Sequence, residues 1–202
     1  MTLSYLLSLF MFTVVATITP GPNNLMVTAS GANFGFRRTI PHILGIAVGF
    51  SVLGLVIASG LGAVFERWPV MQRILQVVGA TYLLFLAWKI WRAGRVQLSD
   101  VEVSEEARPL TFWQAAAFQW VNPKAWTMAI TALSAFALAP PMHIWSAAAV
   151  ILMYFVVAFP CTSFWTLLGR EVVKWLHSDR ARQWFNSTLA ALTVASVGLI
   201  FI

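Results

Sequence analysis

The chain has 202 residues, of which 59% are hydrophobic and 10% charged, far below the roughly 25% charge of a soluble domain. Water is therefore excluded as its main solvent: apolar runs of roughly eighteen or more residues recur along it, each able to cross about 30 Å of hydrocarbon. The net charge of +6 does not indicate nucleic acid, because the thirteen Lys and Arg gather between the apolar runs, as topology determinants do. The single cysteine, Cys161, lies inside an apolar run. It permits no intrachain disulfide and reads as a packing residue.

Charge, Pro and Gly punctuate the chain into six predicted spans at roughly 3–36, 40–64, 70–91, 111–138, 143–169 and 184–202. The first 18 residues have no basic leader and run into Thr19-Pro20-Gly21-Pro22 without a cleavage pattern, so they read as a retained helix. Span one is the oddest element. Its 34 residues would make a straight helix about 50 Å long, and Pro20, Gly21 and Pro22 near its middle predict a break inside the membrane. Asn23 and Asn24 follow, able either to satisfy the freed backbone or to bind a ligand.

Span two opens with Pro41 and His42. The histidine reads first as a satisfied interfacial residue, with proton coupling as its functional alternative. Gly45 and Gly49 make a small-residue packing step. After span three comes the one stretch of ordinary solvated composition, about 93–110, with Asp100, Glu102, Glu105, Glu106 and Arg108. It reads as a linker between a first repeat (about 1–92) and a second (about 111–202) within a single membrane domain, 1–202.

Span four carries Asn122-Pro123-Lys124. Counted from Thr111, Lys124 lies about 18 Å along a helix, near the bilayer centre, where a lysine costs roughly 2.5–3.5 kcal/mol. No Asp or Glu falls within any span, so its partner must be carbonyls at the breaks, Asn side chains, water or a bound anion. An amino-acid carboxylate fits, helped by amides that open the half-helices after Pro22 and Pro123. Asn186 and Ser187, at the head of span six, read as a helix start.

Basic residues flanking the helix ends predict orientation. Arg37, Arg38, Lys89, Arg92, Arg95, Arg108, Arg170, Lys174, Arg180 and Arg182 fall on one side, and Arg67 and Arg73 on the other. Both termini are expected outside and the linker in the cytoplasm. Trp68, Trp88, Trp91, Trp113, Trp145, Trp175 and Trp184 sit at span ends, as an aromatic belt does. Three spans per half with a broken helix opening each half gives the expected fold: an all-α membrane protein of about six transmembrane helices in two inverted three-helix repeats, helices one and four broken.

Thr19-Pro20-Gly21-Pro22-Asn23-Asn24, Gly35-Phe36-Arg37-Arg38, Gly79-Ala80-Thr81-Tyr82-Leu83 and Val121-Asn122-Pro123-Lys124-Ala125 together resemble the LysE/RhtB family of bacterial amino-acid exporters over essentially the full length. The resemblance implies a multi-pass protein of the bacterial inner membrane. It implies export of a small amino acid or derivative, driven by the proton gradient, with Pro20, Gly21, Pro22, Asn23, Asn24, Asn122, Pro123 and Lys124 as substrate-binding positions. Leu133-Ser134-Ala135-Phe136 is more similar to the cysteine and O-acetylserine exporter branch. Related membrane thiol-redox proteins place a cysteine in spans one and four, and here neither span has one. The competing reading is a non-transporting membrane scaffold, for which Lys124 and the paired breaks would be idle. The expected partners are a small amino acid and the lipid bilayer, with no nucleic acid, no cofactor, no metal and no catalytic residue; a homo-oligomer is left open.

Overall fold

The computed structural model describes residues 1–61, 69–93, 108–176 and 178–198. Eight α-helices occupy them: α1 (Leu3–Ile18), α2 (Pro22–Phe34), α3 (Phe36–Val56, continued by a π-helical turn over Ile57–Leu61), α4 (Pro69–Ala93), α5 (Phe112–Phe118), α6 (Pro123–Phe136), α7 (His143–Trp175) and α8 (Asp179–Gly198). No strand occurs among the described residues.

Both predicted breaks are present. α1 and α2 meet at 61° across Thr19–Gly21, where Pro20 and Pro22 cannot donate to a continuous helix. α5 stops after about two turns, and Pro123 opens α6 from an Asn122 cap. By length and composition, Phe36–Gly60 and α7 can each cross a membrane, and the bent α1–α2 pair makes a third. Span two was expected over 40–64; its helix starts earlier, at Phe36, straight after Gly35 at φ 79°, and residues 62–64 lie outside the described ones. α7 runs on to Trp175 rather than ending near 169, long enough at about 50 Å to emerge from a bilayer. α8 begins at Asp179, so Asn186 is not a helix start. It is buried within the helix and accepts from Asn33 Nδ2 at 2.9 Å.

The distribution of polarity is that of a protein in lipid. Leu3, Leu55, Ile144, Leu152 and Val156 are exposed, whereas Thr13, Asn24, Thr39, His42, Gln119, Asn122, Thr166 and Asn186 are buried. Trp88, Trp91, Trp113, Trp145, Trp175 and Trp184 are also exposed, consistent with the predicted belt; Trp68 lies outside the described residues.

Packing crosses between the two halves of the sequence. α1 and α2 lie on α7, α5 and α6 lie on α3, and α4 pairs with α8. Glycine permits the closest of these approaches. A Cβ at Gly31 would overlap the Thr166 carbonyl, one at Gly169 the Thr28 carbonyl, one at Gly45 the Phe112 carbonyl, and one at Gly49 would lie 2.6 Å from Ala116 Cα and O. With lipid outside, such backbone-to-backbone packing is a main source of helix association. The neighbours are backbone atoms and cannot swing away. Gly31→Ala is therefore expected to lower the stability of the purified protein by ~1–3 kcal/mol, whereas Gly198→Ala, with open space around it, leaves the thermal unfolding midpoint unchanged.

Candidate functional site

The site starts from backbone groups that the first break releases. With no water at hand each needs a partner, and the carbonyls find one in turn. Thr19 Oγ1 donates to Ala16 O at 2.8 Å, and Asn24 Nδ2 to Thr17 O at 2.9 Å and Thr19 O at 2.8 Å. Trp165 Nε1, from α7, donates to Ile18 O at 2.9 Å. Asn24 thus satisfies freed backbone carbonyls, as one of its two expected roles requires.

The second break is treated alike. Its chain turns through tight bonds such as Trp120 N to Ala117 O at 3.1 Å and Val121 N to Phe118 O at 3.1 Å, the pattern of a tightened helix end. Trp126 Nε1 donates back to Trp120 O at 2.9 Å. Asn122 Oδ1 accepts from Lys124 N at 3.2 Å, and so caps α6.

Two links join the breaks. Asn23 and Gln119 form a reciprocal amide pair, Asn23 Nδ2 donating to Gln119 Oε1 at 2.9 Å and Gln119 Nε2 to Asn23 Oδ1 at 3.2 Å. Gln119 is fully buried and donates also to Ala115 O at 2.9 Å. The second link is Lys124. Its Nζ donates to Thr19 O at 2.5 Å, to Thr19 Oγ1 at 3.2 Å and to Pro20 O at 3.4 Å. Of the partners the sequence left open for this lysine, the carbonyls of the first break are those it meets among the described residues. Its stem crosses Gly21, where a Cβ would stand 2.6 Å from Lys124 Cδ, so the bare Cα is what lets the ammonium reach Thr19. No side chain caps the first amides of α2, which leaves the positive end of that helix beside the lysine.

Around these links lies a recess lined, among others, by Thr17, Gly21, Asn23, Asn24, Asn122 and Lys124. Five of the eight positions expected to bind substrate thus share one lining. Pro20, Pro22 and Pro123 are outside it: Pro20 offers its carbonyl to Lys124, and the other two open α2 and α6. His42 does not line it either. This histidine is 1% exposed and neither ring nitrogen has a partner, so it is not the satisfied residue that was expected first; it lies one helical turn before Ile46, which does line the recess. The sequence reading missed Thr17, Gln119, Ile46, Phe50, Tyr154 and Thr162. A signal was available for two of them: Gln119 and Tyr154 are polar interruptions of otherwise apolar runs. Among the described residues no group of His, Cys, Asp or Glu could hold a metal.

The family model described as LysE type translocator matches residues 14–202 of this chain. The chain belongs to the LysE-type translocator family. It is accordingly a transporter and not an enzyme, a multi-pass helical membrane protein. The cysteine/O-acetylserine efflux protein of Escherichia coli (strain K12) is 30% identical over 202 residues, the whole of both chains. Proteins of the same description from Shigella sonnei and Shigella flexneri are 30% identical over 202 and 191 residues, the second spanning 94% of each chain. No solved structure gives a significant match.

If the amide pair truly couples the breaks of this translocator, Asn23→Ala and Gln119→Ala should be non-additive in stability. A double-mutant cycle on the purified protein is expected to return a coupling of ~0.5–2 kcal/mol, and a value indistinguishable from zero would rule the link out.

Proposed function

We propose that this translocator exports a small amino acid or amino-acid derivative from the cytoplasm, and that the substrate carboxylate replaces the Thr19 and Pro20 carbonyls at the Lys124 ammonium. One observation carries the reading: a lysine on one helix break, in a recess shared with the other, whose partners among the described residues are carbonyls and a hydroxyl. A carboxylate is a stronger partner than a carbonyl for an ammonium, and the uncapped start of α2 adds to its attraction. Gly21, Asn23, Asn24 and Asn122 shape the rest of the binding position, with Pro20, Pro22 and Pro123 fixing the breaks. The substrate is taken to be cysteine or O-acetylserine, for which the Escherichia coli and Shigella efflux proteins are named.

The architecture proposed for this activity is a single domain of six spans in two inverted repeats, joined by the cytoplasmic linker 93–110, with both termini outside the inner membrane. The exchange of partners between the halves, each broken helix lying on the long second helix of the other half, supports it. So does the placement of both breaks at one recess, the arrangement in which inverted repeats build transport sites. Coupling to the proton gradient is assigned to His42, a buried imidazole without partners in a bundle that carries no acidic residue within any predicted span.

The decisive experiment is efflux of labelled cysteine and O-acetylserine from cells preloaded with them, normalised to membrane protein level. Lys124→Ala is expected to abolish export, and Lys124→Arg to impair it, since a planar fork does not replace a compact ammonium. Near-normal export by Lys124→Met, which keeps the apolar stem, would reject the carboxylate role. His42→Gln is expected to remove the dependence of efflux on the proton gradient while exchange across symmetrical gradients persists. A reporter active only in the cytoplasm should work when inserted at Asp100 and fail when fused after Ile202; the reverse pattern would overturn the orientation.

A further inference from the structure

Most buried hydroxyls in the bundle are satisfied by the chain itself, Ser163, away from the recess, being an exception. Thr13, Thr28, Thr39, Thr162, Thr166 and Thr193 each donate to the carbonyl four residues back, at 2.6–2.9 Å, the usual resort of a hydroxyl in an apolar helix. Two hydroxyls on the recess break this pattern. Thr17 follows Thr13 by one turn of α1, yet its Oγ1 is buried without a partner. Tyr154, in α7, is 1% exposed, and its phenolic hydroxyl likewise has none. A buried tyrosine hydroxyl ordinarily finds a partner, and leaving one unmet is destabilising.

Both residues line the recess that holds Lys124. The Tyr154 ring is fixed there by Phe50, centroid to centroid 4.5 Å, and Ile46, Met128, Ala125 and Ala158 make the wall largely apolar. Lys124 is the one charged residue among those lining it, and none is acidic. A cationic side chain would therefore meet a like charge and no carboxylate. A short uncharged polar side chain would meet two hydroxyls able to donate and accept.

We propose that the Tyr154 and Thr17 hydroxyls read the substrate's side chain, making them specificity-determining residues for amino acids whose short side chain is polar and uncharged. The assignment rests on the exporter reading, in which Lys124 takes the carboxylate at the other end of the same molecule. A donor such as the phenol suits an ester carbonyl best; a thiol, a weak hydrogen-bonding group, gains less from it.

The test is efflux from proteoliposomes containing the full chain, loaded with two matched pairs: O-acetylserine against norleucine, which has the same chain length without the ester, and cysteine against 2-aminobutyrate, which has a methyl in place of the thiol. The unaltered protein is expected to favour the polar member of each pair. Tyr154→Phe should lower the O-acetylserine to norleucine rate ratio about fivefold, the worth of one hydrogen bond, with the norleucine rate kept, and should change the cysteine pair less. Thr17→Val should shift the first ratio in the same direction. An unchanged ratio in both variants, no polar preference in the unaltered protein, or an equal loss of all four rates would overturn the assignment while leaving the exporter intact. If the unaltered protein exports none of the four, the exporter reading itself falls, and the assignment with it.

Discussion

A peptide group released where a helix stops in an apolar surrounding has no water to turn to, and the rest of this protein is arranged around that constraint. The first break exposes the carbonyls from Ala16 to Pro20, and the side chains that answer them come from α2, α6 and α7 as well as from the break itself. Satisfying the backbone thus draws three other helices to one point. The position of Lys124 follows from the same need: a charge that would be unfavourable in isolation is stabilised by carbonyls that would be unfavourable without it.

An indole N–H guards each break, Trp165 on Ile18 O and Trp126 on Trp120 O, and an asparagine follows or precedes each opening proline. Such repeated solutions to one chemical problem place polar groups beside the largely apolar wall of the recess. Most of the buried threonine hydroxyls fold back on their own helices, which lets small polar residues sit at close contacts without demanding outside partners. Side chains on the outer surface are left to lipid.

Much of this was legible in the sequence because prolines and an intramembrane lysine are costly and therefore conspicuous. Pro20, Pro22 and Pro123 located both breaks, and depth along the helix singled out Lys124 before any contact was known. What escaped was set by tertiary packing. Nothing local marks Gln119 as the partner of Asn23, 96 residues away, and the burial of His42 and Asn186 depends on neighbours that no window of sequence contains. The ends of α3, α7 and α8 were misjudged because charged and aromatic residues such as Arg37, Arg38, Trp175 and Arg182 extend helices beyond the apolar run that identifies them.

The glycine contacts have a mechanical consequence. Where Gly31 and Gly169 bring α2 against the backbone of α7, and Gly45 and Gly49 bring α3 against α5, no side-chain layer lies between to absorb sliding, and close-packed surfaces of this kind shift as units rather than deform. Any motion that preserves these seams carries α2 with α7 and α3 with α5. Each pair joins a half-helix from one part of the chain to a full helix from the other, so these seams tie the two halves of the sequence together independently of the linker that divides them.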